Sequence, residues 1–214
     1  MIIEAKPLSP RGFRWVYLTL NFIFRFKFRK VIIEECNLIP NRSYLLLCNH
    51  FSFWDGFWIA YMVYKVFRKK NLFRTIYVLT LKPQMEKHKW LQNLGCFSIE
   101  PGKISALESM QYAIQVLNTP GNILLIFPQG KLESSHIRNI EMEKGLAYLM
   151  KKTQSPYQII WNSNITEYFE SINPTLYMKL YDLGPGEEIH FEDLKPKIDA
   201  FHQKSLDSLI RKKE

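Results

Sequence analysis

The chain alternates between short apolar runs and longer segments in which apolar residues recur at helical spacing. Residues 43–49 and 122–127 are almost continuously apolar and have the length of buried strands. Between them, residues 104–118 place apolar side chains three to four positions apart, which is the pattern of an amphipathic helix. Strands that alternate with helices in this way predict a single α/β domain with a mixed, mostly parallel sheet flanked by helices.

The rest of the pattern extends this prediction. Residues 24–29 alternate Phe with Arg or Lys, which is the period-two pattern of a half-buried strand, and the strand is expected to continue to residue 34. The other predicted strands cover residues 75–81, 96–99, 157–161 and 175–183. The other predicted helices cover residues 56–70, 83–94, 140–152 and 191–214.

Residues 11–24 form the most hydrophobic stretch near the N-terminus. The uninterrupted apolar run between Arg14 and Arg25 is ten residues long, whereas a helix that spans a membrane needs about 20. No small-residue cleavage site of a secretory signal follows. Two interpretations remain open. The segment is either a helix in the membrane interface, with Arg11 and Lys27 near the lipid head groups, or an ordinary first helix that packs on the domain.

Charge is distributed unevenly along the chain. The net charge is +9, but residues 1–90 contain 16 Lys and Arg against 5 Asp and Glu, and the remainder contains 13 against 15. This asymmetry indicates an anionic partner for the N-terminal part. Its basic residues are interleaved with Phe, Trp and Leu, which favours a membrane surface. No nucleic-acid-binding motif accompanies them, so we expect no nucleic-acid partner.

The cysteines and four of the five histidines do not indicate a disulfide framework, a metal site or a catalytic role. Cys36, Cys48 and Cys96 are odd in number and have no C-x-x-C spacing, which is typical of free thiols in a reducing compartment. No zinc spacing, phosphate loop or dinucleotide fingerprint is present, so we expect no metal and no nucleotide or redox cofactor. Four histidines stand in polar contexts and are predicted to be solvated: His88, His136, His190 and His202.

The fifth histidine carries the predicted chemistry. His50 and Asp55 follow the first apolar run in the segment Asn-His-Phe-Ser-Phe-Trp-Asp. A neutral imidazole removes a proton from a hydroxyl when a carboxylate on its other nitrogen fixes the tautomer. No Ser or Cys nucleophile is paired with this His in the sequence, so the pair is expected to activate a hydroxyl of the substrate. The alternative is a surface or capping pair.

The second apolar run stops at Pro128, and the chain turns at Gly130. The carboxyl ends of the two apolar runs are expected to share one site at the carboxyl edge of the sheet.

These two segments resemble motifs of a known family. Asn49-His50, followed after four residues by Asp55, resembles the first motif of the glycerophospholipid acyltransferases, the family of 1-acylglycerol-3-phosphate acyltransferase. Residues 127–130 resemble the family's Phe-Pro-Glu-Gly motif, with Gln129 in place of Glu.

Two further segments fit the same family. Residues 95–100 resemble its Gly-x-Phe-x-x-Arg motif, and residues 143–147 resemble its Lys-x-Gly helix start. The four segments occur in the family's order over roughly residues 25–185. The resemblance implies a glycerol-3-phosphate acyltransferase-like fold and an acyl-transfer reaction.

The chain departs from the family at the positions that bind phosphate. Glu100 occupies the place of the Arg that holds the acceptor phosphate, and Lys131, Leu132 and Glu133 stand where Thr-Arg-Ser is usual. Lys103 and Lys131 are the expected replacements, but Lys lacks the bidentate fork of Arg. A carboxylate at this place repels a phosphomonoester and attracts an amine. The acceptor is therefore either a lyso-lipid such as 1-acylglycerol-3-phosphate or a non-phosphate acceptor such as a lyso-aminolipid or another hydroxylated lipid.

The resemblance implies a lipid O-acyltransferase that takes its acyl group from an acyl-thioester, either acyl-CoA or acyl carrier protein. His50 is expected to act as general base and Asp55 to orient it, with backbone N–H groups near Gln129 and Gly130 stabilising the oxyanion. No cofactor is expected beyond the thioester co-substrate. The predicted substrate-binding residues are Asn49, Glu100, Lys103, Gln129, Gly130 and Lys131.

The predicted organisation has three parts: an amphipathic membrane-associating segment at 1–30, an acyltransferase domain at 31–190 and a C-terminal helix at 191–214. The expected location is peripheral and monotopic, on the cytoplasmic face of a membrane. Two other functions remain open. One is a catalytically silent homologue that binds lipid, and the other is a thioester hydrolase that uses the same base on water.

Overall fold

A computed structural model of the chain describes residues 1–209. Within these residues, seven strands form one sheet in the order β1-β7-β6-β2-β5-β3-β4. The strands are β1 Lys30–Glu34, β2 Ser43–Cys48, β3 Thr75–Leu81, β4 Cys96–Ile99, β5 Asn122–Ile126, β6 Tyr157–Glu167 and β7 Thr175–Pro185. Among the described strands, only β6 and β7 pair antiparallel. The prediction of one α/β domain with a mostly parallel sheet is confirmed.

Helices cover both faces of this sheet. They are α1 Pro10–Lys27, α2 Asp55–Val63, α3 Lys82–Lys87, α4 Ser105–Leu117, α5 Gly145–Lys152 and α6 Phe191–Asp207. A π-helical turn at Tyr64–Arg68 extends α2, and 3-10 turns occupy Lys89–Leu94 and Gly186–Glu188. No helix within residues 1–209 has the length and apolar character needed to cross a membrane.

Strand β2 lies at the centre of the domain and separates two apolar cores. Tyr44 and Leu46 face the core covered by α1 and α2, whereas Leu45 and Leu47 face the core covered by α4, α5 and α6. All four side chains are fully buried. Because alternate residues of a strand point to opposite faces, a strand buried on both sides must be apolar throughout. This explains the continuous apolar run in the sequence.

The predicted strand at residues 24–29 is wrong, because helix α1 continues to Lys27. Ser9 caps the helix by accepting from the Gly12 N–H, and Pro10 occupies its first turn. Phe13, Leu20 and Phe24 of this helix are buried in the core. The alternation of Phe with basic residues therefore reflects two faces of a helix end, because packing outweighs a short local pattern.

Other predicted boundaries are also shifted. Strand β6 ends at Glu167 and not at residue 161. Helix α5 begins at Gly145 and not at Ile140, because the Ile140 N–H donates to Asp199 Oδ1 at 2.7 Å and the Glu143 N–H donates to the Pro128 carbonyl at 2.9 Å. Helix α6 ends at Asp207. The predicted continuation through residues 210–214 lies outside the described residues. The divisions at residues 30 and 190 stay predictions.

Candidate active site

The two predicted site segments meet at one edge of the sheet. Strands β2 and β5 are parallel neighbours, with Leu47 opposite Ile126. Their carboxyl ends therefore deliver residues 49–55 and 127–133 to the same place, which is the usual position of sites in open parallel sheets.

The turn from β2 into α2 is built around the carboxylate of Asp55. Asp55 Oδ2 accepts from the backbone N–H groups of Phe51 at 2.8 Å and Ser52 at 2.9 Å. The same oxygen lies 2.9 Å from His50 Nδ1. The Asp55 side chain is fully buried, and it stands at the first residue of α2, where the helix dipole favours an anion. An ionised carboxylate only accepts, so the proton of this bond lies on Nδ1 and His50 Nε2 is left as a base.

The segment after β5 fixes His50 from the other side. The imidazole stacks on the ring of Phe127, with centroids 4.1 Å apart and planes at 21°. The His50 backbone N–H donates to Gln129 Oε1 at 2.7 Å, and the His50 carbonyl accepts from the Glu133 N–H at 2.9 Å. The His50 side chain keeps 19% of its surface exposed. It is therefore held firmly and still reachable.

A cavity of about 680 Å³ opens beside this His. His50, Gly130 and Lys131 line its polar part. Most of the remaining lining is apolar and comes from α1, α2, β3, β4, α4 and α5. Along β3 the lining extends from Leu81 at the carboxyl end to Ile76 near the amino end, a path of roughly 17 Å at 3.3 Å per residue. The site therefore joins a base to a long apolar compartment.

The structure separates the predicted substrate-binding residues into three groups. Gly130 and Lys131 line the cavity. Gln129 is 2% exposed, and its amide is occupied on both sides, by the His50 N–H and by the Glu133 carboxylate. Asn49 is buried, donates to the Asn164 carbonyl at 2.9 Å and accepts from the Asn164 N–H at 2.7 Å. Asn49 thus joins the end of β2 to β6.

Glu100 and Lys103, the third group, belong to a charged cluster next to the cavity. Lys82 lies 2.9 Å and Lys103 3.0 Å from the Glu100 carboxylate, which also accepts from Ser105. The bonds from Lys82 and Lys103 lower the pKa of Glu100 to about 2. The cluster therefore holds one anion between two cations. Sequence reasoning missed Lys82, although its position directly after the end of β3 at Leu81 was a usable signal.

The expected oxyanion donor at Gly130 is already in use. The Gly130 N–H donates to the Phe127 carbonyl at 3.2 Å and closes a turn in which Gly130 has φ +67°. A Cβ at this position would lie 3.1 Å from the Glu143 side chain. Gly130 therefore shapes the loop beside His50 through its left-handed conformation and lack of a side chain.

The prediction that His202 is solvated is wrong. His202 is fully buried between α6 and β6, with Nδ1 2.9 Å from Ser163 Oγ and Nε2 3.1 Å from the Ile137 carbonyl. Trp161 Nε1 also donates to Ser163 Oγ, at 2.8 Å. Burial lowers the pKa of His202 to about 4, so it is neutral at pH 7. The polar sequence around it hid this network, which exists only in the folded chain.

Buried thiols do not supply an alternative nucleophile at this site. Cys36, Cys48 and Cys96 are free thiols, as predicted, and Cys48 and Cys96 are buried. Burial raises the pKa of Cys48, which is further raised by nearby Asp55, and raises the pKa of Cys96 to about 11. Both remain protonated at neutral pH and are poor nucleophiles.

Comparison with known proteins identifies the family and the fold of the chain. The family model named Acyltransferase matches residues 30–161, so the chain belongs to this acyltransferase family. A solved structure with the same fold is the 1-acyl-sn-glycerophosphate (LPA) acyltransferase PlsC from Thermotoga maritima, at a TM-score of 0.63 and 14% sequence identity. The match covers 94% of this chain and 81% of that chain. A search of curated proteins finds no match.

Proposed function

We propose that this chain transfers a fatty acyl group from an acyl-thioester to the hydroxyl of a lyso-lipid, with His50 as the general base. The observation that supports it most directly is the His50–Asp55 pair beside a long apolar cavity. Membership in the acyltransferase family supports the same reaction class.

The proposed reaction is a nucleophilic acyl substitution that passes through a tetrahedral intermediate and forms no acyl-enzyme. His50 Nε2 removes the proton of the acceptor hydroxyl as its oxygen attacks the thioester carbonyl carbon. The intermediate then collapses by breaking the carbon–sulfur bond, and the imidazolium returns the proton to the leaving thiolate. Asp55 holds Nδ1–H and stabilises the imidazolium that forms between these steps. The donor is acyl-CoA or acyl carrier protein, and the fatty acyl chain lies in the apolar cavity.

The charged cluster around Glu100 supports a phosphate-bearing acceptor such as 1-acylglycerol-3-phosphate. Lys82 and Lys103 outnumber the single Glu100 carboxylate, and Lys131 lines the cavity. The surplus of one positive charge in the Lys82–Glu100–Lys103 cluster attracts a phosphomonoester. Glu100 itself favours a second candidate, a lyso-aminolipid, because it is an ionised carboxylate at the place where the Gly-x-Phe-x-x-Arg motif has Arg.

The variant Glu100→Gln distinguishes these two acceptors. For a phosphate acceptor, removal of the anion frees Lys82 and Lys103, so we expect KM to fall for lysophosphatidic acid. For an amine-bearing acceptor, removal of the carboxylate should raise KM for lysophosphatidylethanolamine. Steady-state kinetics with both lipids, against the parent chain, separates the two outcomes.

Helix α1 supports a peripheral position on a membrane surface. At 3.6 residues per turn, Trp15, Phe22 and Phe26 fall on one outer face, opposite the buried Phe13 and Phe24. Their side chains are 71%, 63% and 65% exposed. An exposed aromatic stripe flanked by basic residues is the pattern of a helix that lies in the lipid interface. The helix also packs on the domain, so the two interpretations of the sequence are compatible. The cytoplasmic face remains part of the proposal.

Mass spectrometry of lipid products tests the function. The parent chain is incubated with labelled acyl-CoA or acyl carrier protein and a panel of lyso-lipids, beside the His50→Ala variant and the exposed-site control His190→Ala. We expect an acylated lipid whose formation falls roughly 10²–10⁴-fold in His50→Ala and stays unchanged in the control. Release of free fatty acid alone would identify a hydrolase. Binding of lipid without any product would identify a catalytically silent homologue.

A further inference from the structure

The loop after β5 carries a pair of side chains that the reaction does not itself require. We propose that Gln129 and Glu133 form an exchanged pair that positions His50. The Phe-Pro-Glu-Gly motif that residues 127–130 resemble has its carboxylate at the place of Gln129, whereas here a carboxylate stands at position 133 and the amide of Gln129 faces it. This gives Glu133 a positioning role. The activity measurements below rest on the proposed function, whereas the stability measurements do not.

The hydrogen bonds define the orientation of the Gln129 amide. The His50 N–H can only donate, so the atom 2.7 Å from it must be the amide oxygen. The Glu133 carboxylate can only accept when ionised, so the Gln129 atom bonded to Glu133 Oε2 must be the amide nitrogen. The Glu133 N–H returns to the His50 carbonyl at 2.9 Å. The three residues therefore form a closed loop of hydrogen bonds around the His50 backbone.

The surroundings keep Glu133 ionised. Its side chain is 13% exposed, and the Gln129 bond is the main cause of its lowered pKa, with a further contribution from Lys131 at 3.2 Å. Lys195 of α6 acts in the same direction. Two further titratable groups near this loop are the His50 imidazole and the Glu143 carboxylate, which lies next to Gly130. An anion at 133 therefore coexists with a neutral side chain at 129.

This arrangement makes an unusual demand on position 129. A Glu at this position would restore the family's motif, but it would place two carboxylates at hydrogen-bond distance in a buried loop. Like charges at such a distance cannot both ionise without a large penalty. The substitution Gln129→Glu becomes acceptable only if position 133 changes to a donor. The substitution Glu133→Gln provides that donor. The double variant, with the carboxylate at position 129 and the amide at position 133, should therefore form the same hydrogen bond with donor and acceptor reversed.

A double-mutant cycle tests the pair. The variants are Gln129→Glu, Glu133→Gln and the double variant Gln129→Glu/Glu133→Gln, with exposed Gln115→Glu on α4 as the control for added charge. We expect acyl transfer to fall on the order of 100-fold in Gln129→Glu, because the His50 backbone shifts. The double variant should recover to within a few-fold of the parent. Its KM should match the parent, because neither side chain lines the cavity.

Thermal unfolding gives a readout that is independent of catalysis. We expect Gln129→Glu to lower the melting temperature by about 4 °C or more, and the double variant to recover it. The deficit of Gln129→Glu should shrink between pH 8 and pH 5, because a proton shared by the two carboxylates removes their repulsion. A merely steric effect has no such pH dependence.

Failure of the exchanged pair can be distinguished from failure of the proposed function. If no variant shows acyl transfer, the function fails, but the stability cycle still decides whether the pair exists. Equal melting temperatures for the parent and Gln129→Glu at pH 8, or additive losses in the double variant, would overturn the exchanged pair.

Discussion

At the scale of single residues, Asp55 connects the chemistry of the site to its backbone. One carboxylate oxygen serves His50 Nδ1 and two backbone N–H groups. The residue with the proposed role of orienting the base is thus also the residue that closes the turn. A substitution that keeps its shape but removes its charge separates these two roles.

We expect Asp55→Asn to lower kcat on the order of 10²–10⁴-fold with little change in KM. The amide oxygen can still accept from the backbone, but it cannot stabilise the imidazolium or enforce the Nδ1–H tautomer as a carboxylate does. Steady-state kinetics measures the effect, with a melting curve to show that the turn remains folded. A raised KM at unchanged kcat would contradict the orienting role and indicate acceptor binding.

At the scale of elements, His202 connects α6 to β6 and to the 131–139 loop. Its pKa is about 4 in the folded chain, compared with 6.5 for an exposed His. Between these values the unfolded chain binds more protons than the folded chain, so stability rises with pH. The contribution is complete above about pH 6.5 and is lost as pH falls toward 4. The shift corresponds to roughly 3 kcal/mol.

This linkage predicts that His202→Gln flattens the pH dependence of stability between pH 4.5 and pH 7. Gln can replace the hydrogen bonds to Ser163 and Ile137 but does not titrate in this range. Urea unfolding of the parent and the variant across the window measures the difference in slope. Parallel slopes would show that another group, and not His202, controls acid stability in this range.

Helix α1 is the element that should meet the membrane. We expect the triple variant Trp15→Ser/Phe22→Ser/Phe26→Ser to bind vesicles on the order of 10³-fold more weakly or worse, because each aromatic side chain that enters the lipid contributes roughly 1.5–3 kcal/mol, and the three together roughly 4.5 kcal/mol or more. The fold should be unaffected, since these side chains are exposed. Cosedimentation with vesicles of phosphatidylglycerol and phosphatidylcholine gives the measurement. Ile172→Ser, at a side chain that is 95% exposed, is the matched control. Equal binding by the triple variant and the parent would remove α1 from the interface.

At the scale of the whole molecule, the cavity joins both sides of the fold. Its lining combines α1 and α2 with β3, β4, α4 and α5, so its length is a property of the assembled domain. Ile76 lies near the amino end of β3 and is the cavity-lining residue of this strand that is farthest from the site edge at Leu81. The end of the acyl chain is expected to reach this region.

We therefore expect Ile76→Phe to shift the preference toward shorter acyl chains, on the order of tenfold in kcat/KM for the longest substrates. Competition between acyl-CoA chains of different length, followed by mass spectrometry, measures the ratio. Ile172→Phe on the surface is the control. An unchanged profile in a folded variant would place the chain end elsewhere in the cavity.

The sequence by itself determined the α/β class, the paired segments at 49–55 and 127–130, and the membership in an acyltransferase family. These features are local: an apolar run buried on two faces, and a His and an Asp within one turn, are visible without knowledge of the partners. The same segments also indicated Asn49 and Gln129 as site residues. Their hydrogen bonds, to Asn164 and Glu133, are visible only in the folded chain.

Tertiary structure alone decided the features that depend on contacts between distant positions. The Gln129–His50 bond joins residues 79 positions apart, and the Ser163–His202 bond joins residues 39 apart. The ion pair of Lys82 with Glu100 and the contact of Phe24 with α2, which accompanies the helical end of α1, also join separate segments of the chain. Such contacts arise because the sheet order brings separate chain segments to one edge or one face, and no local pattern of residues encodes that order.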